Sequence, residues 1–201
     1  MPRFTPPLSL KAEFASVEAV WNSAASTRRV DSLVLSWVKF EKQLRRLFCF
    51  IVFQHPDLKA PDIESVIAIL AANKKLYPET FITGIRELSA YSVPDLLSPR
   101  YDELWTEIKR IKAYRNKLIH GQITGLRIGS PQLERDVLWI VDWMNTLATA
   151  AERRLGYDGL KRKTYRAAKA AVTVPTDKYP FENPAEFGNW LSILGKKPPQ
   201  P

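Results

Sequence analysis

Arg115, Asn116 and His120 lie close together in the segment IKAYRNKLIHGQ, Ile111 to Gln122. An arginine is always charged and offers a planar fork of donors that matches phosphate oxygens. An asparagine amide can orient a neighbouring group or a phosphate oxygen. Histidine is the side chain that titrates near neutrality when unperturbed. An anion clamp, an orienting amide and a proton shuttle within about one and a half helical turns suit cleavage of a phosphodiester. Tyr114 precedes the set, and Lys112 and Lys117 flank it with charges that suit an RNA backbone.

The elements that must hold these residues are helices. Proline is absent from Leu8 to His55, from Arg100 to Ser130 and from Gln132 to Val174, and glycine is absent before Gly84. Long stretches without either breaker, rich in Leu, Ala, Lys, Arg and Glu, are helical. The pattern predicts helices near Leu8–Ala25 and Arg28–Gln54, one after Pro61, and one near Pro78–Ala90. A fifth opens with Ser98 as cap and Pro99 at its first position, and ends at Gly121. A sixth opens with Ser130 and Pro131 and ends at Gly156. In the second helix Leu33, Trp37, Phe40, Leu44, Leu47 and Ile51 step by four and three, the seam of a bundled helix. The expected architecture is an all-α, up-and-down bundle over residues 1–159, with a basic, proline-spaced extension over 160–201.

Much of the charge in the fifth helix follows from the helix dipole. Asp102, Glu103 and Glu107 stand early and Lys109, Arg110, Lys112, Arg115, Lys117 and His120 late, which is the favoured polarity. Arg115 is the exception. The apolar stripe runs Leu104, Ile108, Ile111 and Leu118, and position 115 is its missing member. A guanidinium facing a core needs a counter-charge, because an unpaired buried charge costs several kcal/mol. Either Glu41, at the flank of the second helix's seam, pairs with it, or Arg115 lines a cleft that receives an anion.

Arg115-Asn116-x-x-x-His120 before Gly121, at the end of a helix in an all-α chain, resembles the HEPN superfamily. The resemblance spans residues 28–159, including the helix with WVKFEKQLRRLF, where Glu41 matches an acidic residue common in the family. It implies a metal-independent endoribonuclease, a toxin of a toxin–antitoxin or phage-defence system, acting as a homodimer whose two arginine–histidine motifs share one cleft. It carries over to Arg115, Asn116 and His120 as catalytic residues, with Glu41 and Tyr114 supporting. It equally admits a non-catalytic HEPN module that binds RNA, nucleotide or a partner protein. Residues five apart on an ideal helix are separated by about 140°. Arg115 and His120 therefore share a pocket only if the last turn unwinds, the arginine reaches around, or a second chain brings its own motif opposite. A dimer also supplies two copies of His120, a base and an acid, where the chain has two histidines in all and His55 belongs to a turn before Pro56.

Composition sets the remaining bounds. The 201 residues carry a net charge of +9 and a pI of about 9.7, which favours anionic partners, nucleic acid first. A single cysteine, Cys49 between two phenylalanines, permits no internal disulfide. The longest apolar run, Leu47 to Phe53, is too short to cross a bilayer, and a soluble cytoplasmic protein is expected. No Gly-rich phosphate loop, Cys-x-x-Cys or His-Glu-x-x-His is present, so no metal or cofactor is expected. Residues 160–201 hold eight Lys or Arg against three acids. There Lys161, Arg162, Lys163 and Arg166 suit RNA backbone or an acidic antitoxin, Tyr165 could stack on a base, and a solvated charge run is the alternative. One further helix is expected at NPAEFGNWLSIL.

Overall fold

The breaker-free stretches fold as helices. The computed structural model describes residues 3–73, 76–119, 128–170 and 179–196, and among them it is all-helical, without a strand. After a 3-10 turn over Leu8–Leu10, α1 runs over Lys11–Trp21, α2 over Arg28–Val52 and α3 over Ala60–Ala72. Then come α4 over Pro78–Leu88, α5 over Val93–Leu97, α6 over Tyr101–Ile119, α7 over Ser130–Leu155, α8 over Tyr165–Ala170 and α9 over Pro184–Leu194. The result is an all-α bundle, and among the described residues no helix is long and apolar enough to cross a membrane.

α2 is the element around which the others gather. Its predicted seam of Leu33, Trp37, Phe40, Leu44, Leu47 and Ile51 is buried throughout. α1, α4, α6 and α7 all pack against it. Polar ties fix the register. Glu13 of α1 meets Lys39, Lys42 and Arg46 of α2 at 3.5, 2.8 and 3.5 Å. Gln43 of α2 donates to the carbonyl of Met144 in α7 at 3.0 Å.

One start differs from expectation. Ser98 and Pro99 do not open a helix. The short helix α5 precedes them, begun by a reciprocal capping box between Ser92 and Asp95. Ser98 closes that helix, the amide of Arg100 donates to the Leu97 carbonyl, and α6 starts at Tyr101. The Ser92–Asp95 capping box starts a separate turn first, and the Ser98–Pro99 pair falls at the junction between α5 and α6.

The described residues from 160 onward are packed onto the bundle rather than set apart from it, and several of them join its core. Gly156 ends α7 in the left-handed conformation, at φ 72°. The turn after it is clamped to α2: Gln43 donates to the Asp158 carbonyl at 3.2 Å, and Arg46 donates to that of Leu160. A Cβ on Gly159 would lie 2.8 Å from Leu47, so only glycine permits this approach. Phe181, Phe187, Trp190, Leu191 and Leu194 then join the core. Trp190 stacks on Phe48 at 6.1 Å, and Phe181 stacks on the His55 ring at 5.1 Å. Basic composition concealed this, because the aromatics that anchor the segment are spaced between prolines and carry no long periodicity.

Two outcomes follow from this packing. Phe187→Ala removes a fully buried ring and should lower unfolding free energy by about 3–5 kcal/mol in urea titration. Burial pushes the Glu13 carboxyl upward, but the hydrogen bond and charge of Lys42, with the charges of Lys39 and Arg46, more than offset it and hold the carboxyl below its ordinary 4.5. A depressed carboxyl stabilises the fold above its unfolded value and loses that contribution as pH falls through the folded one. Glu13→Gln should therefore lose less stability than wild type between about pH 6 and about pH 3, read from urea midpoints.

Candidate functional site

Arg115 occupies the position on α6 that the stripe assigns to it, about 20° from Leu104 by helical rotation. Leu104, Ile108 and Ile111 are buried as expected. At Arg115 the cover ends. Its side chain is 19% exposed, and the fully enclosed side chain of this turn is that of Tyr114. The expectation that position 115 lies deep in the buried face is thus corrected. The seam opens at this level into a cleft of about 490 Å³ bounded by Glu41, Leu76, Tyr77, Pro78, Lys112 and Asn116, with Arg115 on its wall.

Arg115 pairs with Glu41 and also lines the cleft. Its Nη2 donates to Glu41 Oε1 at 2.6 Å. Glu41 Oε1 also accepts from Trp37 Nε1 at 2.7 Å. The guanidinium lies 4.8 Å from the centroid of the Trp37 ring, a cation–π contact. Asn116 Oδ1 accepts from Nη1. Arg115 Nε is enclosed and meets no acceptor among the described residues. The guanidinium is therefore fixed in orientation by an aromatic face, a carboxylate and an amide, while it borders open space.

The other expected residues are distributed unevenly. Lys112 reaches the cleft, but its ammonium pairs with Glu79 and lies 5.8 Å from the Tyr77 ring. Asn116 and Lys117 are exposed. Tyr114 is buried, its hydroxyl meets no partner among the described residues, and it does not border the cleft. His120, and the loop expected after Gly121, fall outside the described residues. His55 is buried: its Nε2 meets the Phe181 carbonyl at 2.6 Å, and its Nδ1 accepts from the Asp57 amide at 3.1 Å. With both ring nitrogens engaged it is structural.

In the basic segment, Lys161, Arg162 and Arg166 are exposed. Lys163 is partly buried, donating to the Gly156 carbonyl at 3.0 Å. Tyr165 cannot serve as a free stacking platform. Its hydroxyl donates to the Leu58 carbonyl at 2.5 Å, and its ring meets Phe53 edge-on at 5.9 Å.

Two residues of the site were not singled out by sequence. Trp37 belongs to the α2 seam by periodicity, and its place four before Glu41 is the signal for their shared contact. Tyr77, 55% exposed at the cleft mouth, gave no signal, because it lies outside any periodic pattern. Among the described residues no group of three or more His, Cys, Asp or Glu side chains is placed to hold a metal ion. Cys49 does not offer a reactive thiol, since burial pushes it up to about 11. No protein-family model, curated protein or solved structure matches this chain.

The exposure of the pair sets its energetic weight. Exposed ion pairs contribute about 0.2–1 kcal/mol, and breaking a buried one costs about 3–5. With 37% of the Glu41 side chain exposed and Arg115 able to hydrate through the cleft, Glu41→Gln should cost about 1–2 kcal/mol in urea unfolding. A loss above 3 kcal/mol would instead place the pair in a closed core.

Proposed function

We propose that this chain is a metal-independent endoribonuclease of HEPN type, a homodimer that acts in the cytoplasm as a toxin or defence effector. The observation that supports the reading is the oriented Arg115 guanidinium on the wall of an open cleft, with Asn116 beside it and an exposed tyrosine at the mouth. A phosphodiester approaching that wall would meet a guanidinium whose orientation is already fixed, and a fixed charge is what favours electrostatic stabilisation of a charged transition state. The net charge of +9 brings RNA toward it, and Lys117, Lys161, Arg162 and Arg166 offer backbone contacts. An acidic antitoxin suits the same charge.

In the proposed reaction one His120 takes the proton from the ribose 2′-hydroxyl. The 2′-oxygen bonds to the adjacent phosphorus as the bond from phosphorus to the 5′-oxygen breaks. Arg115 stabilises the charge growing on the phosphoryl oxygens. His120 of the partner subunit gives its proton to the leaving 5′-oxygen. The products are a 2′,3′-cyclic phosphate and a 5′-hydroxyl end. DNA has no 2′-hydroxyl and survives.

A second reading has an observation of its own. Glu41 already neutralises Arg115, which suits a module that binds RNA, nucleotide or a partner protein without cutting. One experiment separates the two. Purified wild type should cut RNA in the presence of chelator. His120→Ala should lower the rate by about 10²–10⁴-fold and Arg115→Ala by about 10²–10³-fold, with helical content unchanged. Induced expression should arrest growth with wild type and not with His120→Ala. Binding of RNA without cutting by wild type would establish the second reading, and cutting by His120→Ala would end the first.

A further inference from the structure

The turn after α7 carries cations to α2 on a fixed backbone. Gly156 and Gly159 both take the left-handed conformation, at φ 72° and 76°. The polar groups of the turn are spent within it: the Tyr157 hydroxyl donates to the Lys161 carbonyl, and Asp158 Oδ1 accepts from the Leu160 amide at 2.9 Å. Gln43 and Arg46 of α2 then hold the carbonyls of Asp158 and Leu160. Arg162 and Lys163 are thereby set beside Arg45 and Arg46 around a cavity of about 260 Å³. Among the described residues no acidic side chain lines it.

The charges around this cavity do not cancel. Glu13, the acid that meets Arg46 at 3.5 Å, is shared with Lys39 and Lys42. Arg45 and Arg162 are exposed, and neither has a carboxylate partner among the described residues. The Lys163 ammonium donates to the Gly156 carbonyl at 3.0 Å, and two of its three donors remain. It also lies 5.1 Å from the centroids of both Phe50 and Tyr157. Those two rings are each 2% exposed, and Phe53 is 9% exposed and met edge-on by Tyr165. The floor is therefore closed to a flat guest. It acts as a low-dielectric surface that strengthens the pull of the cations above it. What fits is an anion without a ring, of more than one negative charge, whose oxygens match arginine forks. The volume lies just below the range of about 300–1,000 Å³ that holds drug-sized ligands, so the guest is compact. A single phosphate meets one side of the cavity, whereas two or three joined phosphates meet the cations of α2 and of the turn together. Cys49 on the same wall adds no nucleophile at neutral pH, which leaves binding as the role.

We propose that this cavity binds a compact anion of adjoining phosphate groups that carries no base, held by Arg45 and Arg46 on one side and by Arg162 and Lys163 on the other. Inorganic polyphosphate has this chemistry, and so does a multiply phosphorylated lipid headgroup. The site is separate from the Arg115 cleft and stands whether or not that cleft cuts RNA.

Calorimetric titration of the full chain at fixed ionic strength tests it, with tripolyphosphate, orthophosphate and AMP as probes. Tripolyphosphate should bind at least tenfold more tightly than orthophosphate, and AMP should gain nothing over orthophosphate, because no ring is open to its base. The double variant Arg45→Ala, Arg162→Ala changes two exposed side chains, so its circular dichroism should match wild type while its tripolyphosphate affinity falls at least tenfold. The double variant Lys161→Ala, Arg166→Ala removes the same charge from exposed positions outside the cavity and should bind as wild type does, as should Arg115→Ala. Phosphatidylcholine vesicles that contain a bisphosphorylated phosphatidylinositol distinguish the sources. Flotation of wild type with them, lost in Arg45→Ala, Arg162→Ala, assigns the guest to a headgroup, and wild type that stays in solution assigns it to a free anion. Equal affinity for orthophosphate and tripolyphosphate, or equal losses in the two double variants, would overturn the proposal. So would a short 2′-O-methyl RNA that binds more tightly than tripolyphosphate and weakens in Arg45→Ala, Arg162→Ala, since the cavity would then belong to an RNA backbone.

Discussion

A guanidinium cannot be neutralised by losing its proton, so a fold that turns one toward an apolar seam must bring a counter-charge or leave the seam open. At Arg115 this chain does both. Glu41 on α2 supplies the charge, and Trp37 fixes the carboxylate from one side and the guanidinium by its face. The position of α6 against α2 at this level is set by that three-residue contact. The cleft beside it exists because Leu76, Tyr77 and Pro78 border the gap without filling it. A contrasting case lies at the start of α2. Arg29 is only 5% exposed, pairs with Glu134 at 2.6 Å, donates to the Trp21 carbonyl at 2.9 Å and covers the Trp21 ring at 4.1 Å. Both arginines border a cavity, of about 540 Å³ at Arg29 and about 490 Å³ at Arg115. What differs is the depth of the pair, with 6% of the Arg29 side chain exposed against 19% of that of Arg115.

One aromatic cluster closes the bundle where α2, α4 and α9 meet. Phe48, Phe81, Phe181, Phe187 and Trp190 contact one another in series. A Cβ on Gly84 would stand 2.5 Å from the Phe48 ring, so α4 approaches α2 there as only glycine allows. His55 is absorbed into the same cluster, with both ring nitrogens occupied. Such a region gains stability from ring area and edge-to-face contacts and has little freedom to admit a ligand.

Charge is distributed on a different plan. Along α2 the basic residues Lys39, Lys42 and Arg46 face one acid of α1, Glu13. The turn after Gly156 is clamped onto α2 and carries Lys161, Arg162 and Lys163 to the same region. A basic segment that composition alone describes as a solvated tail is thereby built into a walled cavity. Electrostatic attraction of an anion is stronger beside low-dielectric aromatic walls than over open surface.

Helix content, the α2 seam and the presence of Arg115 among apolar neighbours were legible in the sequence, because each depends on local spacing and on breakers acting over a few residues. Glu41 was legible as a partner for the same reason, from its angle relative to a neighbouring seam. The start of α6 was not, because the Ser92–Asp95 capping box and the Ser98–Pro99 pair lie close together and local rules do not rank them. Nor was the role of residues 179–194, whose Trp190 meets Phe48 and whose Phe181 meets His55 across a long sequence separation. The sequence by itself determined that this is a basic helical chain with a charge set against a seam. Only the tertiary structure decided which cations border cavities and which are closed against carboxylates, since exposure belongs to whatever packs over a residue and not to the residue.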